Sequence, residues 1–302
     1  MLQNKTMSGH LLAFFTIIVW GTTFISTKVL LKNFEPVEIL FFRFLIGFAA
    51  LCLAFPHRMR VTDRKQEKYF IGAGICGVTL YFLLENIALT YTLASNVGII
   101  VSIAPFFTAI LAHRFLDGER LRPSFFAGFA AAIAGIVLIS LNGGGGLSFN
   151  PAGDILAVLA AVVWAFYSIL TRKIGAFGYH TIQSTRRIFF YGLLFMVPAF
   201  FVFDFRLGLE RFAQPENLMN ILYLGLMASA LCFATWNWAV KILGAVKTSV
   251  YIYMVPVVTV ITSAIVLKEE ITWQILLGMV LTMAGLFVSE GRFKRRTAKP
   301  EG

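Results

Sequence analysis

Ten runs of about twenty mostly apolar residues follow one another along this 302-residue chain, far more apolar surface than one soluble core could hide. They lie at roughly 10–30, 36–55, 69–91, 94–114, 123–141, 153–172, 181–203, 218–240, 246–267 and 273–290. Lipid offers no partners for backbone N–H and C=O groups, so only helices and closed barrels cross it, and runs this long and continuous are not barrel strands. The expected fold is an all-α polytopic membrane protein with ten transmembrane helices. Only 14% of residues are charged, and the mean hydropathy is +0.79. One basic residue, Lys5, precedes the first run, and no small-residue cleavage site with a soluble domain follows it. The run therefore reads as a retained helix, not a removed signal peptide.

A net charge of +11 could suggest nucleic acid, but the basic residues gather at span ends, as topology signals do. With the N-terminus in the cytoplasm, the inner span ends hold eighteen of the twenty-six, among them Arg58 to Lys68, Arg114 to Arg122 and Arg292 to Lys299. The outer ends hold only Lys28, Lys32, Arg206, Arg211 and Lys268; Arg43, Arg186 and Arg187 lie inside spans. Both termini are expected in the cytoplasm, the protein in the cell membrane, and no nucleic acid as partner. Cys52, Cys76 and Cys232 are isolated, so neither a disulfide nor a metal site is implied.

The chain is also written twice. Asn86 to Glu119 returns without a gap as Asn237 to Glu270, with Asn86, Pro105, Thr108 and Glu119 matching Asn237, Pro256, Thr259 and Glu270 at a constant offset of 151. Ala13 to Lys28 returns as Ala157 to Arg172 at offset 144, pairing Trp20 with Trp164, Lys28 with Arg172 and, further on, Arg43 with Arg187. The first repeat covers 1–141, a Gly-rich outer linker 142–152 includes Asn142 to Gly146, and the second repeat with its basic tail covers 153–302. Five spans per repeat is an odd number, so the second copy enters the bilayer from the opposite side. Inverted repeats are an architecture of secondary transporters, with the substrate near the midplane between the copies. A duplicated scaffold is the plainer alternative, but it has no use for two nearly equivalent conformations.

The segments WGTTF (Trp20 to Phe24), the Pro36 and Arg43 spacing, ALTYTLASN (Ala88 to Asn96), Pro105, Gly118 with Glu119, and Gly128 with Gly135 together resemble the EamA-type domain of the drug/metabolite transporter superfamily. The resemblance covers essentially the whole chain, twice. The second copy departs at Ala165 after Trp164 and at Glu269 in place of Gly118. What the resemblance implies is a ten-helix transporter of small metabolites, often an exporter of amino acids or related compounds; it does not choose the substrate.

Gly98, Ser102, Pro105, Thr108 and Ala112 form one small and polar stripe on the fourth span, and Ser249, Tyr253, Pro256, Thr259 and Ser263 repeat it on the ninth. Pro105 and Pro256 each remove a backbone hydrogen bond and should bend their helices at mid-membrane. The stripes read either as pathway walls or as close-packing seams. Thr16, Trp20, Thr23 and Thr27 on the first span correspond to Ala160, Trp164, Tyr167 and Thr171 on the sixth, which would set Trp20 and Trp164 facing each other. Trp20, Trp164, Tyr167, Trp236 and Tyr253 suit a small-molecule pocket with aromatic walls. Tyr91, Tyr179 and Trp273 read as interface residues. Asn86 and Asn237 are either substrate contacts or interhelical hydrogen bonds.

Glu85 is the only acid well inside a predicted span, where it needs a partner, a proton or a wet cavity. Arg43 lies at similar depth, about 10 Å against about 9 Å for Glu85 at 1.5 Å per residue, which permits an ion pair. Glu85 is thus either half of a structural pair or a proton-coupling group. The second copy has Trp236 at that position, so Arg187 has no matching acid. It either snorkels to the cytoplasmic surface or meets an anionic group of a substrate. Gly128 with Gly135, like Gly278 with Gly285, reads as tight helix packing between copies or between protomers. Monomer and homodimer both stay open.

No GxSxG, HExxH or phosphate-loop pattern occurs, and His10, His57, His113 and His180 are too dispersed to form an evident site. The expectation is a secondary active transporter with a small-molecule substrate, no cofactor and no catalytic residues. A flippase of lipid or lipid-linked sugar would need a cleft open sideways to lipid, and a membrane-embedded enzyme a pair of acids or histidines meeting inside the bundle.

Overall fold

In a computed structural model, residues 2–57, 59–116, 123–140 and 151–289 are described, and their extended secondary structure is helical. Ten helices follow in order: α1 Leu2–Leu30, α2 Pro36–Ala54, α3 Arg64–Tyr91, α4 Ala94–Phe115, α5 Pro123–Ser140, α6 Pro151–Ala176, α7 Thr181–Val202, α8 Pro215–Leu243, α9 Ala245–Val266 and α10 Trp273–Ser289. Eight are long and apolar enough to cross a bilayer, and the shorter apolar segments Phe126–Gly135 and Trp273–Gly285 lie in α5 and α10. Gly118, Glu119, the Asn142 to Gly146 linker and the basic tail lie outside the described residues.

Local chemistry sets the helix ends. Pro36 opens α2 and Pro215 opens α8, where a missing N–H costs nothing because first-turn N–H groups lack helical partners. Between α8 and α9 the chain turns on Gly244 at φ +90° and ψ 161°, a region that side chains rarely adopt. Large apolar side chains point outward along the bundle, among them Phe190, Leu194, Phe201 and Ile265, as lipid contact requires.

The duplication reaches into the helix irregularities. α3 carries a π-helical segment at Ile75–Leu80, and α8 carries one at Tyr223–Leu231, which contains the positions 151 residues on. α4 is interrupted at Ser102 and Ile103, and α9 is 3-10 helical over Val250–Met254. Both prolines then stand in the first turn of a new α-helical segment, Ala104–Phe115 and Val255–Val266. The expected bend is therefore a break, and the proline sits where it displaces no hydrogen bond.

α5 and α10 pack on each other, joining the two copies. A Cβ on Gly135 would fall 2.6 Å from Gly278 O, and one on Gly285 would fall 2.6 Å from Ala132 N. Only glycine permits this approach, so of the two expected uses of the glycine pairs the chain makes the one between copies.

Candidate functional site

Where the two copies meet, a cavity with about 440 Å³ of empty space lies among five helices. α1 supplies Ile17, Trp20, Thr23 and Phe24, α3 supplies Tyr81, Phe82 and Glu85, and α4 supplies Val101 and Ala104. The second copy contributes Trp164 from α6 with Ile252 and Val255 from α9. α4 and α9 line it beside their breaks. The π segment of α3 ends directly before Tyr81, and its extra residue turns the following face by ~100° relative to a regular helix.

Trp20 anchors the aromatic wall. Its Nε1 donates to Ala228 O at 2.9 Å, which fixes the ring. Trp164 meets it edge to face, with ring centroids 5.2 Å apart, and Trp236 packs against it at 5.0 Å. The tryptophans expected to face each other do so. Thr23 also lines the cavity, but its hydroxyl donates to Trp20 O.

Glu85 is 1% exposed, and its Oε1 has no hydrogen-bond partner. Arg43 does not close an ion pair with it. Its Nε donates to Ser229 Oγ at 3.1 Å, its guanidinium carbon sits 4.2 Å from the centroid of Phe82, and both Nη atoms lack partners. Among the described residues the ion pairs are Arg187 with Glu67 and Arg211 with Glu38.

Glu38 shows what a purely structural buried acid looks like here. It too is 1% exposed, yet its carboxylate accepts from Arg211 Nη1 at 2.7 Å, Arg206 N at 2.8 Å and Glu35 N at 2.9 Å. A buried carboxylate satisfied from several sides stabilises, whereas one with an orphaned oxygen recovers less of its desolvation cost. Glu85 is of the second kind, and it faces a cavity.

The other predicted site residues divide. Asn86 Nδ2 donates to Pro36 O at 3.1 Å and ties α3 to α2, away from the cavity lining. Asn237 accepts from Tyr167 OH at 2.7 Å and donates to Thr185 Oγ1 at 3.0 Å, joining α6, α7 and α8 beside a recess of about 270 Å³ at one end of the bundle. Ser102 donates to Ile99 O, while its neighbours Val101 and Ala104 line the cavity. Trp236 is fully buried behind Trp20, and Tyr253 is buried against Phe287. The α4 and α9 stripes pack on each other, Gly98 against Thr259, whose hydroxyl donates to Gly21 O at 2.8 Å.

Arg187 has an acid after all. Its Nε meets Glu67 Oε1 at 2.7 Å, and the Tyr191 hydroxyl donates to the same oxygen. Glu67 stands two residues before the run predicted to start at 69, outside every predicted span. Tyr179 adds two links to the first copy, receiving Thr62 N at 2.9 Å and donating to Gln66 Oε1 at 2.6 Å. At the other end, Glu269 accepts from Ala94 N, Ser95 N and Ser95 Oγ, capping α4 from the second copy. The paired Lys28 and Arg172 prove equivalent: Lys28 Nζ donates to Leu89 O and Thr92 O at the end of α3, and Arg172 Nη1 to Lys241 O near the end of α8. Cations at helix C-termini satisfy carbonyls left without partners.

Comparison with known proteins agrees with this two-copy construction. Residues 7–141 and 151–290 each match the EamA-like transporter family. The chain is 28% identical over 290 residues to a Streptantibioticus cattleyicolor protein named "Probable terminal-alkyne amino-acid exporter", covering 95% of each. It is 28% identical over 306 residues to a Salmonella typhimurium protein named "Probable amino-acid metabolite efflux pump", covering 96% of this chain and 98% of that one. A solved crystal structure of a protein 22% identical shares the fold with a TM-score of 0.66, over 93% of this chain and 96% of that one. A multi-pass helical bundle built from two matching halves, each aligned to the same family, places the chain: it belongs to the EamA-like transporter family.

Proposed function

We propose that this protein is a secondary active exporter of a small metabolite, an amino acid or a related compound, working by alternating access between two inverted five-helix repeats. The observation that carries this reading is the cavity lined by both copies, with the unsatisfied Glu85 in its wall. The opposite orientation of the copies is supported by a second recess, of about 1100 Å³, where Glu216 at the start of α8 meets Leu89 and Thr90 at the end of α3. Those are corresponding helices, and the start of one lying beside the end of the other is what antiparallel copies would give. The printed names of the relatives support the substrate class.

Both termini are cytoplasmic in this reading, which puts the Glu67–Arg187 pair at the inner end and the Lys28 and Glu269 recess at the outer end. Substrate and proton alternate through the central cavity, and Glu85 carries the proton. The ionisable groups around it are Tyr81, one turn earlier on α3, and Arg43 on α2; α1, α4, α6 and α9 line the cavity with none. In proteoliposomes, an imposed pH gradient should drive uptake or release of the transported amino acid. Glu85→Gln should lower gradient-driven flux at least tenfold. Equal gradient dependence in wild type and Glu85→Gln would overturn the coupling role.

A further inference from the structure

The central cavity holds two buried polar atoms without partners, and they are of opposite kind: Glu85 Oε1, an acceptor, and Trp164 Nε1, a donor. Orphaned buried polar atoms are rare in folded proteins, and two lining one cavity describe the ligand that would satisfy them. Around them the wall is aromatic and apolar, with Trp20, Phe24, Tyr81 and Phe82. It contains no lysine, arginine or histidine. Arg187 is committed to Glu67, and Arg43 does not line the cavity.

A carboxylate among aromatic rings is a site for an organic cation, because the charge is met by the acid and the negative ring faces together. The same cluster already seats one cation on a ring face, the Arg43 guanidinium over Phe82. A hard metal ion fits poorly. It takes six or more oxygen ligands, while here Glu85 is joined only by the Thr23 hydroxyl, which is spent on Trp20 O, and by the Tyr81 phenol. No group of three or more metal-ligating side chains occurs among the described residues.

We infer that the cavity recognises a protonated amine, its ammonium on Glu85 Oε1 among the rings, with an acceptor atom of the same molecule on the Trp164 Nε1–H. The inference rests on the reading of this cavity as the substrate site and narrows its substrate class. An amino group is the determinant, and a carboxylate is dispensable because no cation lines the cavity to read it. An amino acid would bind through its ammonium, and its amide or the parent amine would bind at least as well.

The test is equilibrium binding by the purified protein in detergent, read as thermal stabilisation. The probes are 2-phenylethylamine, its neutral counterpart 2-phenylethanol, the anion phenylacetate, and phenylalaninamide, which adds a carbonyl acceptor. At a hundredfold excess over its Kd the amine should raise Tm by about 5 °C or more, and the alcohol and the anion should not. Glu85→Gln should erase the preference for the amine, and Glu85→Asp should keep it. Trp164→Phe keeps an aromatic face but loses the donor, so it should weaken phenylalaninamide about tenfold more than it weakens 2-phenylethylamine. Equal stabilisation by amine and alcohol in the wild type overturns the inference, whether or not the variants fold; so does an amine preference that survives Glu85→Gln. Flux of the same probes in proteoliposomes separates the two readings. Amine binding without flux sinks the transport reading alone, and flux of non-amines with no amine binding sinks the ammonium site alone.

Discussion

Two buried glutamates at the same exposure have different work. Glu38 is held by Arg211 and by two backbone N–H groups, while Glu85 keeps a bare oxygen beside a cavity. Stability should separate them. Glu38→Gln removes the charge that Arg211 and the loop at Arg206 rely on and should cost about 1–3 kcal/mol. Glu85→Gln removes a buried charge held only by the Tyr81 phenol and the field of Arg43, with one oxygen unpaired, so it should cost less than Glu38→Gln. Thermal unfolding in detergent checks both, and a larger loss for Glu85→Gln would mean that the carboxylate is structural. From sequence, Glu85 was visible as an acid inside a span. Glu38 lies at the edge of the span predicted at 36–55, and its role was not legible because its partner Arg211 lies 173 residues away in a loop that only the fold brings over.

At the scale of the helix, the paired glycines of α5 and α10 decide how closely the copies are joined. Gly285→Val would place a branched side chain against the α5 backbone at Ala132, an overpacking that should cost about 1–3 kcal/mol. Gly72→Ala, whose new methyl would meet only the flexible end of Leu170 at 3.2 Å, should cost less. Comparing their Tm values tests the seam; equal losses would show that the α5 and α10 contact is dispensable. The seven-residue spacing of these glycines was legible because a shared face is a local property. The π segments were not, since a widened turn leaves no composition of its own. One of them sets the direction in which Tyr81 and Glu85 point, which is why Tyr81 and Phe82 escaped the sequence reading of the site.

Across the whole molecule, the two ends are held differently. One end is tied by Glu67 to Arg187 and by Tyr179 to Thr62 and Gln66, around a recess of about 270 Å³. The other has a recess of about 1100 Å³ beside Lys28 and Glu269. If the tied end is the cytoplasmic gate, Glu67→Gln should shift the population toward a state open to that side. A cysteine at Thr23, in a chain with Cys52, Cys76 and Cys232 replaced, should then react several-fold faster with an impermeant thiol reagent in inside-out vesicles. Restoration of slow labelling by the exchange of Glu67→Arg with Arg187→Glu would assign the effect to the pair. Unchanged labelling in Glu67→Gln would show that the pair does not hold the gate.

The sequence by itself determined the class of fold and its duplication, because a bilayer demands long apolar helices and a repeat written in residue types survives without coordinates. It also named Trp20, Thr23, Trp164 and Glu85, which stand on predictable helical faces and now line one cavity. Only the tertiary structure decided what those residues meet. It turned Arg43 to Ser229 and Phe82 instead of Glu85, gave Arg187 an acid from the other copy, and made Asn86, Asn237 and Thr259 into ties between helices. Such pairings depend on how helices far apart in sequence rotate against one another, and that rotation is set by packing across the whole bundle rather than by any local pattern.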